Sequence, residues 1–284
     1  MKNRLFILLQ YIVPQHLISR LVGLLADCRL PLIKDPLIKL FAKQFKVNMQ
    51  EAKREDLADY VNFNDFFTRA LKDDARPVDF HDNHLACPVD GAISQIGDIK
   101  AGKVFQAKGQ DFDVTTLLGG NSDLAEAFID GQFTTIYLAP KDYHRIHMPC
   151  DGKLTSMVHV PGQLFSVNQA TAANVPGLFA RNERVVAMFD TEFGPMAMVL
   201  VGAMIVASVE TPWAGLVCPT GKQVTNWQYT DQNDIIIRKG EEMGRFKLGS
   251  TVVMCLPKGT CEWNEALQPG VTTRMGQMLA KLKG

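Results

Sequence analysis

Apolar and polar positions repeat at two different periods along this chain, and the change falls near residue 75. Upstream, Leu17, Ile18, Leu21, Val22, Leu24 and Leu25 recur at helical spacing beside Arg20, and Ile33, Leu37, Ile38, Leu40, Phe41 and Phe45 form a second apolar stripe beside Lys34, Lys39 and Lys43. Stripes of this kind predict amphipathic helices. An apolar run over residues 5–13 includes Gln10 and stops at Pro14. A spanning helix needs about 20 apolar residues, so this run should lie on a membrane or pack on the protein, not cross a bilayer. Periodicity alone leaves those two readings open.

A polar, proline-containing stretch over residues 72–83 separates this region from one with the short period of strands. Strands are expected over residues 92–96, 133–140, 153–160, 184–189, 196–209, 234–237 and 251–256. The 196–209 stretch is free of charge, but with Gly202 inside it reads as buried strand. The fold class is therefore α+β: N-terminal amphipathic helices over residues 1–75, then a β-rich domain over 76–284.

Charge changes this picture through its placement. The 284-residue chain has a formal net charge of zero, which argues against a dedicated nucleic-acid binder. Residues 1–46, however, hold eight basic residues against Asp27 and Asp35, a net of +6 that the remainder balances with −6. Basic residues beside an apolar face suit an anionic lipid surface, at about 1 kcal/mol per cation. Lys2 and Arg4 before an apolar stretch also raise a signal peptide, but Pro14, Gln15 and His16 interrupt it before any small-residue cleavage site. The segment is expected to stay. Six cysteines without a CxxC pair fit a reducing compartment.

The candidate chemistry begins at Leu248-Gly249-Ser250-Thr251, just before an apolar strand. A Gly-Ser pair there is usually only a turn. Yet a serine hydroxyl can also attack the preceding carbonyl, and a glycine at that place removes the Cβ that would crowd the attack. Upstream, Tyr143-His144-Arg145-Ile146-His147 follows a probable strand, and Pro88-Val89-Asp90-Gly91 puts a carboxylate in a turn before another. Serine, histidine and aspartate are the nucleophile, base and orienting group of acyl transfer. Pro149-Cys150-Asp151-Gly152 repeats the Pro-x-Asp-Gly pattern, so spacing leaves Asp151 as a rival to Asp90. His144 and His147 would share a face on a helix and point apart in a strand. A metal site needs three or four protein ligands. His16, His81, His84 and His159 form no spacing motif with this pair, so no metal is expected.

Together these segments resemble the phosphatidylserine decarboxylase family in its bacterial membrane-associated form. The resemblance runs over essentially the whole chain. It rests on Asp90-Gly91, the Tyr-His-Arg-x-His segment, Pro161-Gly162-Gln163-Leu164-Phe165-Ser166-Val167-Asn168, Asn182-Glu183-Arg184 and Gly244 through Thr251.

The resemblance implies that the chain cuts itself between Gly249 and Ser250, leaving associated fragments 1–249 and 250–284. Ser250 then becomes a covalent pyruvoyl cofactor, the electrophile that condenses with the amine of phosphatidylserine and yields phosphatidylethanolamine. It assigns Asp90, His147 and Ser250 to self-cleavage, choosing Asp90 over Asp151, and His144 to orienting substrate or delivering a proton. It favours a peripheral place on the cytoplasmic face of the cell membrane, with a phospholipid substrate, an anionic membrane surface and, as an open expectation, a homodimer. Rival readings are a soluble pyruvoyl-dependent amino-acid decarboxylase and a non-catalytic membrane-docked β-domain. Arg181, Asn182 and Arg184 could contact phosphate or make salt bridges, Phe165 and Ser166 could line a lipid pocket or pack in the core, and Tyr137 could face the site or its strand.

Overall fold

A computed structural model describes residues 2–204, 208–218, 221–229, 234–247 and 250–283. Among them a nine-stranded antiparallel sheet forms the centre. Its strands run in the order Thr225–Gln228, Gly152–Val160, Arg184–Thr191, Gly194–Val201, Ser250–Leu256, Gln132–Leu138, Gly91–Asp98 and Thr272–Thr273, with Ile236–Ile237 also paired to Gly152–Val160. The central strands are Val-, Ile- and Met-rich and buried on both faces, which is why they read as continuous apolar runs.

Alternation along these strands divides two cores. Val253, Cys255, Val199 and Phe133 face one side, together with Ile7, Ala26, Ile38, Ala42 and the phenylalanines at 63, 66 and 67. Val252, Met254, Leu256, Met198 and Ile136 face the other. That second side is covered by two smaller sheets, one of four strands that includes Arg145–His147 and Glu242–Phe246, and one of three that includes Met278–Leu282.

The amphipathic stripes form the helices Lys2–Ile12, Gln15–Ala26 and Pro31–Phe45. Pro14 sits at the break between the first two, where its missing N–H costs nothing. Polar anchors fix them to the body. Gln10 Oε1 accepts from Ser166 N at 2.7 Å, Gln15 Oε1 from Leu164 N at 2.6 Å, and Asn64 Nδ2 donates to Asp27 at 2.6 Å. One face packs on the protein, while Leu8, Ile12, Leu17, Leu21, Leu24, Leu30, Leu32 and Leu40 stay exposed. No single described helix is long and apolar enough to cross a membrane; Phe6–Ile12 and Gln15–Ala26 pass only as a pair bent by 92°.

The α+β class and the helices-then-strands order hold. One element differs: the expected single strand over 196–209 is two, Gly194–Val201 in the large sheet and Val209–Thr211 in the four-stranded one. Gly202 leaves the ladder, its N–H donating to Glu183 O at 2.8 Å, and the chain changes sheets.

Candidate active site

Three strands bring the chemistry to one end of the large sheet. Ser250 opens its strand directly opposite Leu138, the last residue of Gln132–Leu138. On the other side of that strand Ala92 pairs with Tyr137, which puts Gly91 beside Leu138 and Asp90 just past the sheet end. With strands about 4.8 Å apart, the backbones at 90 and 250 straddle one strand at on the order of 10 Å. Gly91 is required by that approach, since a methyl group there would collide with the Tyr137 carbonyl.

Asp90 is buried and fully engaged. Its carboxylate accepts from Arg76 Nε at 2.8 and 3.0 Å and from Met275 N at 2.9 Å. Arg76 also donates to Glu51 at 2.9 Å, and Glu51 takes Arg274 at 2.7 Å. Asp151 is placed otherwise: it is exposed and held by Arg238 at 2.6 Å and Lys239 N at 2.8 Å.

His147 lies on Arg145–His147, and its N–H donates to Pro88 O at 2.9 Å, tying the histidine strand to the Asp90 turn. Its Nδ1 is 2.8 Å from Gly240 O. A carbonyl only accepts, so Nδ1 carries the proton and Nε2 the basic lone pair. Nε2 takes the Tyr143 hydroxyl at 3.0 Å. Burial lowers the His147 pKa, with the Gly240 hydrogen bond opposing it, and raises that of Tyr143 to about 12. His147 is therefore neutral at pH 7, with the form of a general base. The orienting bond expected from Asp90 is made here by Gly240, and Asp90 acts on the imidazole through space.

The segment containing the histidines is extended, so the two rings part. His144 is fully buried and stacks on Phe67 with centroids 4.0 Å apart. Its Nε2 bonds Ala139 O at 3.1 Å, the residue after Ser250's cross-strand partner, and its Nδ1 has no partner among the described residues. Burial pushes its pKa down to about 3, so it is a neutral imidazole. The strand Glu242–Phe246 pairs with Arg145–His147, and Phe246 N donates to His144 O at 3.0 Å. Residue 250 follows Phe246 by at most about 14 Å of chain. Leu248, Gly249 and the Ser250 side chain lie outside the described residues.

A cleft of about 470 Å³ opens at this end of the sheet, lined among others by Lys46, Arg69, Arg76, Asp90, Tyr143 and Arg274. Its mouth meets the end of Pro31–Phe45, because Lys46 caps that helix.

A family model described as phosphatidylserine decarboxylase matches residues 63–281, and a second, described as PSD, matches 5–46. The chain belongs to the phosphatidylserine decarboxylase family. It is 60% identical over 279 residues to the phosphatidylserine decarboxylase proenzyme of Pseudoalteromonas atlantica, covering 97% of each chain. To the proenzymes so named from Ectopseudomonas mendocina and Hahella chejuensis it is 58% identical, covering 98% of each chain in the first case, and 99% of this chain and 94% of the relative in the second.

In this member of the decarboxylase family the other candidate residues serve the framework. Arg184 is buried and donates to the carbonyls of Leu117 at 2.7 Å and Asn182 at 2.9 Å, so it makes no salt bridge with Glu183. Asn182 straps Phe165 to Gly202, and Arg181 lies over the rings of Tyr11 and Phe165. Phe165 is core, and Tyr137 packs half-buried against the helix-side cluster. None of these lines the cleft. His159 bonds Glu183 at 2.9 Å and, with Cys218, forms a buried group of ligand-bearing side chains; Asp79, His81 and His84 form another. Neither group borders the cleft. Sequence reasoning missed Arg69 and Arg76, lone arginines in no motif, and Tyr143, whose only signal was its place in the Tyr-His-Arg-x-His segment.

Proposed function

We propose that this chain is a self-processing proenzyme that decarboxylates phosphatidylserine to phosphatidylethanolamine. The Ser250 hydroxyl, losing its proton to His147 Nε2 in place of the Tyr143 hydroxyl bonded there at rest, attacks the Gly249 carbonyl; the C–N bond breaks and an ester forms. Removal of the Ser250 α-proton then expels Gly249 as a carboxylate that keeps the former serine oxygen. The dehydroalanine left behind takes up water and releases ammonia, which gives a pyruvoyl group heading fragment 250–284. His147 as base is supported by its neutral form and its Nδ1 anchor at Gly240; the negative charge of Asp90 stabilises the imidazolium that forms.

The observation that carries this reading is residue 250 at the sheet end, paired to Leu138, with the Asp90 turn on the other side of that strand, and close in chain to Glu242–Phe246, which pairs with the strand containing His147. A pyruvoyl group there fits its surroundings. The strand it heads is paired on both sides, which also holds the two fragments together, and a neutral His144 is anchored to Ala139, next to the cross-strand partner of residue 250, with Nδ1 unpartnered among the described residues. When present, that group supplies the carbonyl electron sink for loss of carbon dioxide. His144, neutral and rigid, then orients substrate or passes a proton by Nδ1.

The membrane assignment rests on the exposed leucines of the first three helices and their basic residues, which fit an anionic lipid surface at the mouth of the cleft. All six cysteines are free, in keeping with the cytoplasmic face. Carbon dioxide release from phosphatidylserine vesicles, compared with free serine, tests the substrate. Turnover of both alike would favour an amino-acid decarboxylase.

A further inference from the structure

Arg69 is a cleft-lining cation that has no ion pair among the described residues. It is only 3% exposed, yet its Nε and Nη1 are buried without a hydrogen-bond partner among the described residues. Nη2 alone is held, by the carbonyls of Lys141 at 3.0 Å and Asp142 at 3.3 Å. Those carbonyls belong to the loop that follows Leu138, so the guanidinium is fixed relative to residue 250. Burial lowers its pKa, and Asp90 and Asp142 oppose this only through space, without an ion pair to it among the described residues. Asp90 and Glu51 are already taken by Arg76 and Arg274, and Asp142 has its pKa raised by burial. Buried charges normally have a partner, and here two nitrogens of a cleft-lining guanidinium have none among the described residues.

On the reading above, the geometry points to Arg69 as the anchor for the phosphodiester of the substrate headgroup, with Lys46 and Lys141 at the rim. The substrate carries two anions, and the chemistry chooses between them. A guanidinium on the carboxylate would stabilise the charge that the reaction must remove, and so hold back the chemical step. The phosphodiester keeps its charge throughout. Binding it lowers KM without taxing kcat, and its anionic oxygens suit charge-assisted hydrogen bonds from a guanidinium. The cleft's position at the end of Pro31–Phe45, where the exposed apolar helices stop, is where a headgroup still joined to its lipid would enter.

The test uses the full chain locked as Ser250→Ala, so that binding is read apart from processing and turnover. Glycerophosphoserine, serine and inorganic phosphate are titrated calorimetrically into it and into Ser250→Ala/Arg69→Met. Glycerophosphoserine should bind at least roughly tenfold more tightly than serine or inorganic phosphate, and the Met variant should erase that advantage. Equal binding of glycerophosphoserine and serine, or an advantage that survives in the Met variant, overturns the assignment; inorganic phosphate binding as tightly makes this a free-phosphate site and overturns the headgroup claim. Arg69→Lys, which keeps the charge but loses the guanidinium donors, should recover part of the affinity, and serves if the Met variant does not fold. In the processed enzyme, Arg69→Lys should raise KM with kcat little changed; a fall in kcat alone contradicts the anchor. Failure of the wild type to split or release carbon dioxide would instead sink the proposed function, whatever the titration shows.

Discussion

The turns at Asp90-Gly91 and Asp151-Gly152 share one sequence pattern and have opposite fates. Both follow proline, and both lead into a strand of the large sheet. Asp151 is solvated and paired with an exposed arginine, whereas Asp90 is buried between Arg76 and the Met275 N–H, two residues from the carbonyl that holds the His147 backbone. A Pro-x-Asp-Gly turn is a local device for starting a strand. Whether its carboxylate does chemistry depends on what the rest of the chain lays over it, here the 272–277 segment and the arginine of the inter-region linker.

Substitution should separate the two turns most sharply. Asp90→Asn should slow self-cleavage by roughly 100-fold or more, seen as accumulated full-length chain on a denaturing gel over time. Equal slowing by Asp151→Asn would erase the distinction. The glycines should differ next. At Gly91 an added Cβ meets the Tyr137 carbonyl, which cannot yield, whereas at Gly152 the nearest obstacle is the end of the flexible Met148 side chain at 2.8 Å. Gly91→Ala should therefore cost about 2–3 kcal/mol in urea unfolding and Gly152→Ala about 1 kcal/mol or less. A reversed order would contradict the packing described.

The histidines beside Asp90 give the comparison a pH signature. His144 and His147 both have lowered pKa values in the fold, so the unfolded chain takes up protons near 6.5 when the folded chain does not. Their contribution to stability is complete above that value and is lost as pH falls through 6.5 toward about 3, the folded value of His144. Wild type should unfold at lower urea at pH 5 than at pH 7, and His144→Gln should narrow the gap. An unchanged gap would show that His144 is not the buried neutral ring described. The smallest effect belongs to Asp151→Asn. Its exposed pair with Arg238 is worth about 0–1 kcal/mol and should leave cleavage untouched.

Residues that read plainly in the sequence were those whose structure follows from local pattern. The strands that begin at 91, 132, 152, 184 and 250 lie close to where β-branched and apolar runs placed them, most plainly where a strand such as Arg184–Thr191 is buried on both faces over most of its length. The hairpin of Lys103–Ala107 and Gln110–Asp113 and the C-terminal strands escaped, being short and mixed with charge. At the site, motifs yielded Asp90, His144 and His147. The partners that set their chemistry, Arg76, Tyr143 and the Gly240 carbonyl, come from elements distant in sequence or from the backbone itself, and nothing local marks them. Arg69 was illegible for a related reason: its significance lies in the partner it lacks.

The central claim is that this chain cuts itself at Gly249-Ser250 through a site assembled at the end of the large sheet. Intact mass of the purified wild-type protein under denaturing conditions, beside Ser250→Ala, tests it most directly. The account predicts two fragments, 1–249 and a 250–284 piece whose N-terminus resists Edman degradation, with Ser250→Ala remaining one chain. A wild type that stays a single unmodified chain contradicts it.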